Sequence, residues 1–166
     1  VIRSPGAGLT LTLGSAQTLA WASSYYLPAI LAGPMALELE LSTRWIFGAF
    51  SAALLLVAML GPSVGRLIDR QGGRGVLMAS NAIMAVGLLA LALAQGAVTL
   101  VLAWLLMGVG MALGLYDAAF ATLGRLLGSH ARASITGVTL VAGFASTLGW
   151  PITAFIESEW GWRAAC

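Results

Sequence analysis

The chain has 166 residues, of which 60% are hydrophobic and only 8% charged, with a formal net charge of +2. A soluble domain carries roughly 25% charged residues, so the composition excludes an ordinary soluble fold and points to a membrane protein. All eight basic residues are arginines scattered between apolar runs, so the pI of about 9.2 reflects membrane topology and not a nucleic-acid surface.

Apolar runs of about 20 residues recur, each long enough at about 1.5 Å per residue to cross a hydrocarbon core of about 30 Å. The shorter alternating segments of an outer-membrane barrel are missing. The expected class is therefore an all-α, polytopic transmembrane helix bundle. A lone cysteine, Cys166, cannot form an internal disulfide, and with one histidine and no CxxC pair no metal site or other cofactor is expected. The chain begins at Val1 without methionine and stops just past a turn, so both ends read as cut.

Val1 to Gly8, with Arg3 and Pro5, reads as a polar lead. The first span is predicted over residues 9–37. It is polar for its length, and Gln17, Trp21, Ser24 and Tyr25 recur at spacings of three or four, which sets them on one helix face. Aromatic rings and amide or hydroxyl groups on such a face suit the lining of a solute cavity, while interhelical bonding is the competing reading. Pro28 is expected to kink this span.

Glu38 to Arg44 forms the first turn, with Ser42 or Thr43 as a cap for a second span over 45–64. The stretch Gly65-Arg66-Leu67-Ile68-Asp69-Arg70-Gln71-Gly72-Gly73-Arg74 is then an island of charge between apolar runs. Its glycines supply positive φ or close approach, Asp69 is placed to bond free amides of the next helix, and the arginines favour the cytoplasmic side. A third span follows over 76–95, with Asn81 read as interhelical glue. A fourth is predicted over 100–123, carrying Gly108, Gly110 and Gly114 followed by Tyr116 and Asp117. A connection at 125–133 holds His130, read as solvated.

The fifth span is predicted over 134–156 and includes Gly149, Trp150 and Pro151. Trp160 and Trp162 beyond it read as interface anchors.

The arginine count sets the expected orientation. Arg3, Arg66, Arg70, Arg74, Arg125 and Arg132 fall on one side and only Arg44 and Arg163 on the other, which places the N-terminus in the cytoplasm of a multi-pass protein. Heavy use of Ala, Gly and Leu, with Arg in place of Lys, suggests a GC-rich bacterial genome, so the membrane expected for such a multi-pass protein is the inner membrane. Asp117 lies eight residues before Arg125, about 12 Å inside its span, and a carboxylate there costs about 2.5–3.5 kcal/mol on insertion scales. It should face a cavity, where it would meet solute or carry a proton, or else hold helices together; Tyr116 would join it if the two share that cavity.

The pattern Gly-x-Leu-x-Asp-Arg-x-Gly-x-Arg over 65–74 resembles the loop between the second and third transmembrane helices of the major facilitator superfamily. Gly161-Trp162-Arg163 resembles the turn before that family's sixth helix, Gly108, Gly110 and Gly114 resemble its fourth-helix motif, and Gly149-Trp150-Pro151 resembles a degenerate fifth-helix motif of antiporters. The arginine that usually precedes the fourth-helix glycines is absent, with Trp104 to Met107 in its place. The resemblance implies an N-terminal half of a twelve-helix carrier, with about five of six helices present over residues 1–166 and a sixth beginning after 163. It further implies a conformational loop at Gly65, Asp69, Arg70, Gly72 and Arg74, and packing at Gly108, Gly110, Gly114, Gly149 and Pro151.

The implied activity is secondary transport of a small solute by alternating access, with bacterial monocarboxylate and oxalate/formate porters as the similar members and a proton-coupled organic anion as the expected class. The implied partners are the bilayer, the solute and the C-terminal half of the same carrier, with no nucleic acid. A non-transporting sensor or assembly protein on the same fold is the alternative. A membrane enzyme is disfavoured by the lack of a Ser/His/Asp set or HExxH.

Overall fold

The computed structural model describes the backbone of residues 5–166, with side chains from Gly8 onward. Arg3 lies outside the described residues. Nine α-helices and one 3₁₀ turn make up the described chain, and it contains no strand: α1 (Pro5–Ala22), α2 (Leu27–Glu38), α3 (Thr43–Gln71), α4 (Gly73–Ala92), α5 (Ala97–Gly114), α6 (Tyr116–Leu127), a 3₁₀ turn (Gly128–His130), α7 (Ala131–Ala142), α8 (Ala145–Trp160) and α9 (Trp162–Ala165). Pro5 therefore starts a helix, and the polar lead is shorter than expected.

Three helical stretches, Thr43–Gln71, Gly73–Ala92 and Ala97–Trp160, are long and apolar enough to cross a membrane, and they suggest a membrane protein. The last runs to 64 residues, far beyond the roughly 20 that one crossing needs. It doubles back at Gly128, whose φ of 55° ends α6 in a conformation that glycine adopts at little cost. Arginine bonds tie α6 to α3 at one end of the bundle, and α9 to α2 and α4 at the other.

Predicted spans two and three are continuous helices, but the first, fourth and fifth are each broken. The first breaks at Ser23–Tyr26. Pro28, at the start of α2, lacks an N–H where the helix would leave one unpaired, so the chain stops and restarts there and does not merely kink. The fourth breaks at Leu115, which takes an extended conformation (φ −77°, ψ −168°) between α5 and α6. The fifth breaks at Gly143–Phe144, while Pro151 sits exposed within α8.

The charged stretch at 65–74 is also mostly helix. Ile68 is fully buried and Val64 nearly so, which draws α3 on to Gln71 and leaves Gly72 alone, at φ 86°, to make the turn. The expected caps do not form: Ser42 occupies the N-cap of α3 without a side-chain bond, and no side chain caps α4. Asp69 points to solvent from the last turn of α3, too far back to reach the α4 amides across a one-residue turn.

Within the bundle α5 packs most extensively, against α3 on one side and α4 on the other, and α1 lies along α7 and α8. Missing side chains permit these approaches. A Cβ on Gly108 would lie 2.8 Å from the Ala53 carbonyl oxygen, one on Gly110 would strike Met84, and one on Gly114 would overlap Ser80. Gly149 meets Ala22 in the same way across α8 and α1, and Gly73 meets Thr122. By contrast Gly65 is helical with open space beside it.

Inserting bulk at a filled position costs about 1–3 kcal/mol or more. Gly114→Leu should therefore lower the thermal midpoint of the purified protein clearly, whereas Gly33→Ala, exposed and with nothing within 4 Å of its Cβ, should leave it within a degree or two or raise it. Equal midpoints for the two variants would refute this account of the packing.

Candidate functional site

Eight aromatic rings converge from four of the five predicted spans. Trp21 at the end of α1 is the hub: its ring lies 4.8 Å from Tyr116 of α6, 5.0 Å from Tyr25 and 6.1 Å from Tyr26. Tyr116 stacks on Phe120 one turn along α6, at 5.0 Å and 11°. Tyr25 meets Phe50 of α3 edge-on, Phe50 meets Trp104 of α5, and Tyr26 meets Trp150 of α8. The third predicted span, α4, contributes no ring. Each such pair adds about 0.5–1.5 kcal/mol beyond the area it buries.

The helix breaks bring this cluster together. Tyr25 and Tyr26 lie in the first-span break, and Tyr116 is the first residue after the fourth-span break. Without those interruptions the rings would be spread around helix circumferences. Tyr25 and Trp150 remain 40% and 44% exposed, so the cluster presents an open aromatic face and is not a sealed core.

The predicted first-span face divides into two parts. Trp21 and Tyr25 belong to the aromatic face, together with Tyr116. Gln17 and Ser24 are buried: Gln17 Nε2 donates to the Gly114 carbonyl at 2.6 Å, and Ser24 Oγ donates to the Ala20 carbonyl at 2.5 Å. Gln17 Oε1, Trp21 Nε1 and Trp104 Nε1 are buried without hydrogen-bond partners among the described residues.

Asp117 follows Tyr116 in the first turn of α6 and is exposed, with no hydrogen bond or ion pair among the described residues. Ala118, Ala119, Thr122 and Leu123 mark the buried side of α6. At 100° per residue, Asp117 continues the arc of Tyr116 and Phe120 away from that side. Helix-packing glue, the competing reading for this carboxylate, has no partner in the described residues.

Several working contacts were not legible from the sequence. Ser80, and not its neighbour Asn81, ties α4 to α5 by donating to the Gly110 carbonyl at 2.7 Å; Asn81 is exposed. Arg125 donates to the carbonyls of Ile68 and Asp69, closing the α3 terminus. Asp69, Arg70 and Arg74 themselves are exposed. Two clefts of about 470 Å³ lie away from the aromatic face, one beside Arg44 and Trp45, the other among Leu13, Arg74 and Leu126.

At the opposite end of the bundle from Gly72, Trp162 is not an exposed anchor. It is 3% exposed and its Nε1 donates to Glu38 Oε2 at 2.7 Å, whereas Trp160 is exposed. Arg163 pairs with Glu38 Oε1 at 2.8 Å, donates to the Ala92 and Ala94 carbonyls, and lies over the Trp162 ring. This clasp joins the ends of α2, α4 and α9. The hydrogen bond from Arg163, reinforced by that from Trp162, holds the Glu38 carboxyl below its ordinary value of 4.5. A depressed carboxylate pKa contributes stability that is complete above the unfolded value and lost as pH falls through the folded one. Glu38→Ala should thus lower the thermal midpoint at neutral pH, and the gap from wild type should shrink below about pH 4.5; a gap independent of pH would remove the carboxylate from the clasp.

Compared with models of known protein families, the chain matches none.

Proposed function

We propose that this chain forms the N-terminal helical part of a secondary transporter of the major facilitator superfamily, carrying a small solute by alternating access. The observation that carries the reading is the open aromatic face, assembled from the first, second, fourth and fifth predicted spans, with rings at the points where the first and fourth break. In a membrane, irregular backbone is tolerated where it is covered by protein or lines a cavity, and carriers place their solute sites at such breaks. The motif residues at 65–74, 108–114 and 161–163 support the same family.

In this reading Trp21, Tyr25 and Tyr116 shape the solute site, Asp117 is its ionisable group, and the Gly72 end faces the cytoplasm of a bacterial inner membrane. Gln17 and Ser24 stand behind the site and hold its backbone. An organic anion, the class expected from the resemblance, would draw its positive partner from outside this aromatic face, since no described arginine belongs to it.

Orientation is checked by labelling. With Cys166 replaced by serine, Gln71→Cys, on the exposed last residue of α3, should react with an impermeant maleimide only after intact cells are opened; reaction in intact cells would reverse the topology.

Flux tests the carrier reading itself. The full-length protein in proteoliposomes should accumulate a solute from a panel of small organic ions, and Asp69→Asn should slow accumulation several-fold while equilibrium binding is unchanged, because an exposed carboxylate at the end of α3 acts on the balance of conformations and not on solute contact. Folded protein that moves no member of the panel would retire the reading, and parallel loss of binding and flux in Asp69→Asn would retire the loop's conformational role.

A further inference from the structure

We infer that the aromatic face selects a positively charged organic solute, a substituted ammonium, held over the rings around Trp21 with Asp117 as its counter-charge. This rests on the carrier reading for its biological use, but its physical basis is independent of it.

The first ground is the sign of the charge. Apart from tyrosines, Asp117 is the single ionisable side chain within one helical turn, in sequence, of any ring of the aromatic face; the described arginines and the other carboxylates lie further along the chain. Two of the described arginines are already engaged. Arg125 is two turns further along α6 and spends its guanidinium on the Ile68 and Asp69 carbonyls. Arg163 is held in the clasp by Glu38 and two carbonyls. An anion at the aromatic face would thus meet an unpaired carboxylate with no described arginine within a helical turn of the rings to offset it, while a cation would find its partner already in place.

The second ground is the character of the wall. Trp21 is flanked by three tyrosines within 6.1 Å of ring-to-ring distance or less. Aromatic ring faces attract ammonium groups, tryptophan most strongly, and clustered rings are how proteins hold quaternary ammonium ligands. Tyr25 and Trp150 are part exposed, so ring surface is open to a ligand arriving from the uncovered side. The hydroxyls of Tyr25, Tyr26 and Tyr116 make no hydrogen bond among the described residues, which leaves them free to meet polar substituents. Asp117 lies on the same open arc of α6 as Tyr116 and Phe120, and it is one residue from a ring that touches Trp21.

The test uses three probes with one aromatic ring and different charge: benzyltrimethylammonium, benzyl alcohol and benzoate. Binding to the purified full-length protein is measured by calorimetry, and flux of each probe is followed in proteoliposomes. Benzyltrimethylammonium should bind saturably and more tightly than either of the others. Trp21→Leu and Asp117→Asn should each weaken it roughly tenfold, the first by loss of ring attraction and the second by loss of charge. Trp160→Leu, whose exposed ring touches only Phe155 among the aromatics, should leave it unchanged. Asp117→Asn is nearly isosteric at an exposed position, and Tyr25→Leu serves as a second ring variant if Trp21→Leu does not fold. Tighter binding of benzoate, no saturable binding of the ammonium, or unchanged affinity in both Asp117→Asn and the ring variant would overturn the inference. Accumulation of benzoate with exclusion of the ammonium would overturn the charge assignment and leave a carrier; ammonium binding with no flux of any probe would leave the site and retire the carrier.

Discussion

The hydrogen bond from Gln17 to the Gly114 carbonyl is the contact around which the rest of the molecule is arranged. A helix that stops inside an apolar slab leaves carbonyls without partners, and each costs several kcal/mol if lipid is the only neighbour. Gly114 is the last residue of α5, and its carbonyl is met by a buried amide from a helix 97 residues earlier in the chain. The bond fixes α1 against the broken fourth span at the level where Trp21 and Tyr116 touch. Ser80 does related work one turn before the break, donating to the Gly110 carbonyl from the other side. With both in place the backbone can restart at Tyr116 in a new direction, and the aromatic face follows from that redirection.

Close packing around α5 serves the same end. Its glycines at 108, 110 and 114 let α3 and α4 approach to backbone distance, so polar atoms on those neighbours reach carbonyls that a bulkier surface would shield. In the membrane such contacts take the place of hydrophobic burial, which supplies little between helices already surrounded by apolar lipid. The exposed leucines, valines and phenylalanines around the outside are what a lipid-facing surface requires.

Much of this was written in local sequence. The apolar runs gave the all-helical class and the approximate positions of α3 and α4, the 3.6-residue period put Gln17 and Trp21 on one face, and Gly72 was recognisable as a turn residue because positive φ is inexpensive only for glycine. The breaks at Leu115 and at Gly143–Phe144 were not recognisable. Leu113 to Tyr116 contains no proline and reads as uninterrupted helix, whereas the structure sets an interruption at Leu115 beside the carbonyl that Gln17 bonds. Glu38, Trp162 and Arg163 looked like ordinary surface and interface residues because the separation of 124 residues between the first two hides their pairing. The charged stretch at 65–74 was overread as a loop, since its arginines and Asp69 are compatible with helix and only the burial of Val64 and Ile68 reveals that the helix continues.

The turn at Gly72 has a mechanical consequence. Two helices of 29 and 20 residues are joined by one non-helical residue, with Gly73 lodged against Thr122. Such a joint has no slack. Neither helix can slide along its axis past the other by more than a fraction of a turn without unwinding its own end, so relative motion is restricted to pivoting about one α-carbon. Displacement applied at the far end of either helix is therefore delivered to the other as rotation, while the Arg125 bonds hold the α3 terminus to α6.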